Sequence, residues 1–286
     1  MSSEFWIIQT FNGLSYGALL FLLASGLSLI FGVMRVVNLA HGSYFMLGGY
    51  VGLSVVWRTG SFAAAVLAGA VAIGLIGIGM ERLFLRRLPG QTLGQVLMTI
   101  GFALIFQDLA LLIWGGDPYS IPVPRFLQGA VKAGALSFPA YRIFIIVVAV
   151  VVAALLWLAL DQTRAGARIR AAVDHGEMAQ GVGINVPVLS QAVFALGACL
   201  AAAGGVIGGA FLGVYPGADF EVLPYAFVVV IVGGLGSLPG AMVGSLLVGL
   251  LDNFGKALFP ELSYFTLFAP MALILALRPT GLFGRA

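Results

Sequence analysis

The sequence predicts an all-α polytopic membrane protein of about 8–9 transmembrane helices, each needing the ~20 apolar residues that cross a bilayer core. Three observations predict this. The 286 residues are 61% hydrophobic and only 9% charged, with a mean hydropathy of +1.09, against an apolar share of about 45–50% in soluble domains. Apolar runs of spanning length recur along the whole chain, where a β-barrel would show short alternating segments. Forty glycines suit helices that approach closely in lipid, or that break where backbone lines a cavity.

The first span, 5–31, follows "MSSEFW", which has no basic leading region and no small-residue cleavage site, so a retained helix is expected rather than a signal peptide. It contains "GLSYG" (13–17), the G-x-S-x-G pattern of hydrolase elbows. That chemistry needs a strand–turn–helix bend to present Ser15, whereas Gly13 and Gly17 here read as a helix-packing face. A glycine-broken stretch, 38–56, comes next, with Asn38 and His41 at its start, placed either to line a pathway or to cap freed backbone groups. Spans 61–81 and 93–114 follow. The latter holds Gln107 and Asp108. A buried acid is costly there and usually faces a cavity or partner, but Asp108 is about two turns from the outer end and is equally placed to reach the interface.

Residues 115–140 carry Pro118, Pro122, Pro124 and Pro139, which fix φ and remove donors, so an extended or irregular loop is expected. Its length suits a cover over a pathway mouth, a partner contact or a connector. Beyond the span 141–160 lies a polar segment, 161–188. Within it Ile169, Ala172, Val173, Gly176 and Ala179 recur at helical spacing, while Arg168, Arg170, Asp174 and Glu177 fall elsewhere. Gly181 and Gly183 stop that helix and Pro187 precedes the next span. A short helix near 166–183 follows, with a small, apolar face suited to docking or simply lying in solvent. The remaining spans are 189–213, a second glycine-interrupted stretch at 222–236, 240–258 and 262–278. "HGSYFMLGGYVG" (41–52) and "VGGLGSLPGAMVG" (232–244) echo one another, and paired interrupted segments point to a transport architecture.

Charge orients the spans. Arg35, Arg82, Arg86, Arg87, Arg164, Arg168, Arg170, Arg278 and Arg285 fall on one side, which the positive-inside rule makes cytoplasmic. Arg58, Arg125, Lys132, Arg142 and Lys256 fall on the other. If both interrupted stretches cross, there are nine crossings with the N-terminus outside. The net charge of +3 is used up by this topology and does not suggest nucleic acid. Cys199 is single and excludes an intrachain disulfide. His41 and His175 have no ligand cluster around them, so no metal site is expected. Lys256 in "FGKA" lacks the glycine and hydroxyl of a phosphate-binding loop. No catalytic residue and no cofactor is assigned.

Four motifs in order, "VVNLAHGSYFMLGGYVG", "GARIRAAVDHGEMAQGVGIN", "VIVGGLGSLPGAMVGS" and "RPTGLFGR", resemble those of the branched-chain amino acid (Liv-type, H subunit) permeases of ATP-binding-cassette importers. The likeness covers about 5–285 and implies a single permease domain over 1–286. It implies that Gly166, Arg170, Ala171, Asp174, Ala179, Gly183, Ile184 and Asn185 occupy coupling positions, to which the periodicity adds Ala172 and Gly176. Asn38, Ala40, His41 and Gly42 match the broken-helix motif, and Gly233, Gly234, Gly236, Pro239 and Gly240 its second-half counterpart. The resemblance further implies a bacterial cytoplasmic (inner) membrane location, a second related permease, two cytoplasmic ATPases and an extracytoplasmic binding protein. The rival reading, a self-contained secondary transporter or channel for small polar solutes, needs coupling-ion ligands within the spans, and Asp108 is the one serious candidate.

Overall fold

The axis of the molecule is a 32-residue helix, α1 (Ser3–Met34), started by the Ser2 side chain, which accepts from the Phe5 amide. The computed structural model describes residues 2–134 and 136–284. α1 is apolar on every side, the pattern of a helix surrounded by others, and Leu19, Leu22, Leu23, Leu27 and Ile30 are buried. Its small residues set the distance to its neighbours. Gly13 and Gly17 lie against Gly249 and Ser245 of α10 (Leu238–Leu258), and Gly26 against Gly197 of α8 (Val186–Gly209). The Ser15 hydroxyl donates to the Asn12 carbonyl, 2.9 Å away, within the helix. The hydrolase-like pattern is therefore a packing surface.

Around α1 and α8 stand α2 (His41–Thr59), α3 (Phe62–Leu83), α4 (Thr92–Trp114), α5 (Ala140–Gln162), α9 (Ala218–Gly233) and α11 (Ser263–Leu277). Among the described residues six helices are long and apolar enough to cross a membrane: α1, α3 with its 3-10 extension to Arg87, α4, α5, α8 and α10. α3, α4 and α5 bury less than a third of their spanning windows. Their outer faces, with Leu67, Leu75, Leu104, Leu112 and Val150, present the apolar side chains that suit lipid.

The structure relocates the expected breaks. α2 runs unbroken through Gly42, Gly48, Gly49 and Gly52. These glycines admit neighbouring backbone: a Cβ on Gly48 would strike Ala202 of α8, and one on Gly205 would strike the Phe45 carbonyl. The irregular chain lies just before α2, at residues 35–40, and just after α9, at 234–237. Arg35 ends α1 in the left-handed conformation with φ 53°, and among the described residues no other non-glycine has positive φ.

The proline-rich loop is extended at first and then forms a hairpin of β1 (Ala130–Ala133) and β2 (Leu136–Pro139), antiparallel, with Val131 opposite Phe138. An antiparallel bridge between Tyr119 and Val214 ties the loop to the α8–α9 connection. The single helix expected near 166–183 is two, α6 (Arg164–Asp174) and α7 (Gly176–Gly181). His175, at φ −147° and ψ 83°, is extended and turns the chain between them. Ala172 and Gly176 thus belong to different helices and share no continuous face.

Candidate functional site

Two polar regions stand out, one inside the bundle and one at its arginine-rich end. The interior region begins where the chain leaves Arg35 and doubles back along α1. The Leu39 amide donates to Thr99 Oγ1 of α4 at 3.2 Å, and the Ala40 amide to Asn38 Oδ1 at 3.1 Å. His41 then opens α2 with Nε2 2.9 Å from the Leu23 carbonyl. A carbonyl only accepts, so Nε2 carries the proton. Leu23 precedes the end of α1 by roughly 16 Å at 1.5 Å per residue, so α2 starts well inside the bundle.

α9 starts at the same place and runs the opposite way. Gly217, at φ 99°, turns the chain into it, and Ser43 Oγ donates to Asp219 Oδ2 at 2.7 Å. The backbone contact is equally close: a Cβ on Gly42 would lie 2.5 Å from the Asp219 carbonyl oxygen. Two helix N-termini, each with partial positive charge, therefore meet around one carboxylate. Asn38, His41 and Ser43 have no exposed surface and Asp219 retains 2%. His41 Nδ1 and Asp219 Oδ1 have no hydrogen-bond partner among the described residues.

The residues singled out in the sequence divide among several places. Asn38 and His41 are in this junction. Gln107 is half-buried at its edge, with Nε2 3.5 Å from where a Gly217 Cβ would stand. Asp108 is exposed on the outward side of α4. Gly233, Gly234 and Gly236 lie at the α9–α10 turn, where they meet the backbone of Gly240, Gly284 and Gly32 respectively. The tail completes that turn, with the amides of Leu282 and Phe283 donating to Val232 and Gly233 at 2.9 Å. Ser43 and Asp219 escaped the sequence reading. The available signal was an acid, Asp219, just after "PG" at the head of an apolar run.

At the arginine-rich end, Thr163 caps α6 by accepting from the Gly166 amide at 3.1 Å. Gly166 is pressed against the carbonyls of Ala159 and Leu160 at the end of α5. The Arg170 guanidinium donates to the Leu160 carbonyl and to Asp161, so it ties the elbow to α5. Ala172 and Ala179 are buried within the chain, whereas Ala171 and Asp174 are exposed and Gly176 is half-buried with open space beside it. Gly183, at φ 88°, closes α7; the Ile184 amide returns to the Ala179 carbonyl at 3.0 Å. Asn185 caps α8, accepting from the Val188 amide at 3.1 Å. The small face is thus used internally. Outward, two large apolar side chains stand among the charged ones: Met178 is 73% and Val182 79% exposed. Beside them a cleft of about 470 Å³ is lined by Arg35 and residues 173–178.

The segment is anchored from the other side by Arg86. Its guanidinium holds Glu81 through two hydrogen bonds of 3.1 and 2.9 Å and reaches the Pro187 carbonyl at 3.0 Å.

A bundle of apolar spans, with helices that start in its interior and an exposed amphipathic elbow at one end, defines a multi-pass membrane protein of the permease class. The chain belongs to the branched-chain amino acid transport system / permease component family, whose model matches residues 9–277. It is 30% identical to the high-affinity branched-chain amino acid transport system permease protein BraD of Pseudomonas aeruginosa, over 98% of this chain and 96% of that one. It is also 30% identical to the LivH permease protein of the corresponding system in Escherichia coli K12, over 100% and 98%. A more distant likeness, 26% identity over 96% of this chain and 86% of the relative, is to the ribose import permease protein RbsC of the same strain. No solved structure matches.

Proposed function

We propose that this chain is the membrane-spanning permease subunit of an ATP-binding-cassette importer for branched-chain or related amino acids. It pairs with a second, related permease, two cytoplasmic ATPases and an extracytoplasmic binding protein, in a bacterial cytoplasmic membrane. The observation that carries the reading is the α6–α7 elbow. Large apolar side chains, Met178 and Val182, stand exposed beside arginines, outside the apolar spans. Such a patch suits a protein partner.

The arginine-rich end faces the cytoplasm. α2 with the irregular chain before it, and α9 with the connection from α8, complete crossings that their own lengths do not, and α11 adds the last. The chain then crosses nine times with its N-terminus outside. Ile169, Ala172 and Ala179 hold the elbow to the spans, while the exposed side of Ala171, Gly176, Met178 and Val182 meets the ATPase. Closure of the ATPase pair pushes on that face, and the push reaches the spans through Gly166 and Arg170, which bind the elbow to α5. ATP hydrolysis belongs to the partner subunits.

The test is purification with co-expressed genomic neighbours, followed by reconstitution into liposomes. Uptake of leucine, isoleucine or valine that requires ATP and the binding protein is the expected result. Uptake by the isolated chain under a sodium or proton gradient would replace the importer with a secondary transporter.

A further inference from the structure

We propose that the interior junction is a recognition point for the zwitterionic head of the transported amino acid, with Asp219 receiving the ammonium group and the first turn of α2 the carboxylate. This rests on the import reading above and adds the residues that would read the substrate.

Two observations converge. Asp219 is 2% exposed, yet Ser43 engages only one of its oxygens; Oδ1 has no hydrogen-bond partner among the described residues. A carboxylate in a dry interior without a fixed cation is costly, and such groups inside membrane proteins mark pathways. The second observation is the pair of helix starts. Among the described residues no backbone carbonyl accepts from the amides of Gly42 and Ser43, so these first-turn donors are available to an anion. The Phe220 amide of α9 already donates to the Gly217 carbonyl at 3.1 Å, whereas the Gly42 and Ser43 amides of α2 are left for an incoming group.

An amino acid carries both charges that this arrangement lacks. Its ammonium matches Asp219 Oδ1, and its carboxylate matches the Gly42 and Ser43 amides. A hydroxy acid or keto acid of the same shape matches only half. In this structure the Ser43–Asp219 hydrogen bond and the Gly42 contact close α2 onto α9, so entry requires these two helix starts to part. Discrimination then occurs at the moment of opening, because the substrate replaces the Ser43 hydroxyl as partner of the carboxylate.

The test uses the whole transporter in proteoliposomes and compares the wild type with Asp219→Asn and Ser43→Ala. Asn retains the acceptor for Ser43 and removes the charge, so the fold is preserved. Asp219→Asn is expected to lower amino-acid uptake at least ~10-fold, the scale of one lost charge-assisted hydrogen bond. ATPase activity stimulated by the binding protein should stay within about twofold, since the elbow is untouched. Ser43→Ala removes the hydroxyl that competes for the carboxylate and should lower the KM for amino-acid uptake; a raised KM would overturn the competition. Wild-type rates in Asp219→Asn would overturn the recognition role while leaving the import reading intact. If the wild-type assembly takes up no amino acid, the import reading itself fails. If Asp219→Asn loses uptake and stimulated ATPase together, the junction is a structural clasp and the proposal is wrong.

Discussion

The interior junction and the α6–α7 elbow are both polar, but they treat water in opposite ways. At the junction Asn38, His41, Ser43 and Asp219 are sealed from solvent; His41 and Ser43 find their partners on distant segments of the chain, and Asn38 accepts from Ala40 within its own turn. At the elbow the charged groups are exposed, and what is buried is small: Gly166, Ala172 and Ala179. Errors at the first site should therefore appear as a bundle that does not assemble or does not open. Errors on the outer face of the second should leave a sound bundle that no longer responds to its partner.

The most severe change expected is Gly205→Val on the junction side. The new side chain would enter the Phe45 carbonyl of α2, and neither backbone can retreat. No monodisperse peak should remain on size-exclusion of the detergent-solubilised protein; a normal peak would show that α2 and α8 are less tightly joined. The elbow's counterpart is the double change Met178→Asp with Val182→Asp. Both side chains are largely exposed, so the melting temperature should move by no more than ~1–2 °C, as for a surface substitution. ATP-dependent uptake should nevertheless fall by at least ~10-fold, as for a lost apolar hot spot. Unchanged uptake would remove this face from the coupling route. Ala172→Glu sharpens the contrast, because Ala172 is 8% exposed. It should lower stability as well as transport.

A smaller effect is expected from Arg86→Met. It leaves Glu81, 2% exposed, without its cation. Breaking a buried pair costs about 3–5 kcal/mol, but the Arg86 side chain is 35% exposed and water reaches the pair, so ~2 kcal/mol is expected. That corresponds to a drop of roughly 4–8 °C in melting temperature, and Glu81→Gln in the same chain should recover part of it. The least effect is expected from Asp108→Leu. Asp108 faces outward from α4, so uptake should stay within ~2-fold, as for a substitution away from buried partners. A large loss would put that face of α4 against a partner subunit or the pathway.

What was legible in the sequence follows from the physics of each part. Long runs of uniform apolarity need no knowledge of their neighbours, and α1, α3, α4, α5, α8 and α10 lie where hydropathy places them. Glycines are ambiguous on this measure. The same residue breaks a helix or admits another backbone, and in α2 it is the approach of α8 that decides. The start of α9 was missed because "YPGAD" reads as loop and Pro224 interrupts the apolar run, although the helix continues through it. The elbow was read as one helix because three- and four-residue spacing runs through 169–179, and nothing about His175 announces an extended backbone. Ser43 and Asp219 are 176 residues apart in the chain. No local pattern reports such a pairing.

The early position of α2 in the chain has a consequence for biogenesis. It is not among the helices apolar enough to enter a membrane alone, because Tyr44, Tyr50, Ser43 and His41 line it, all of them buried in the finished protein. Its principal neighbours are α3 and α8, and α8 begins only at Val186. While the ribosome is still making the middle of the chain, α2 has half of its shelter and cannot rest against lipid without exposing hydroxyls and an imidazole. Its polar side chains gain their full cover only when α8 packs beside it. The second helix to be synthesised is thus among the last to be secured.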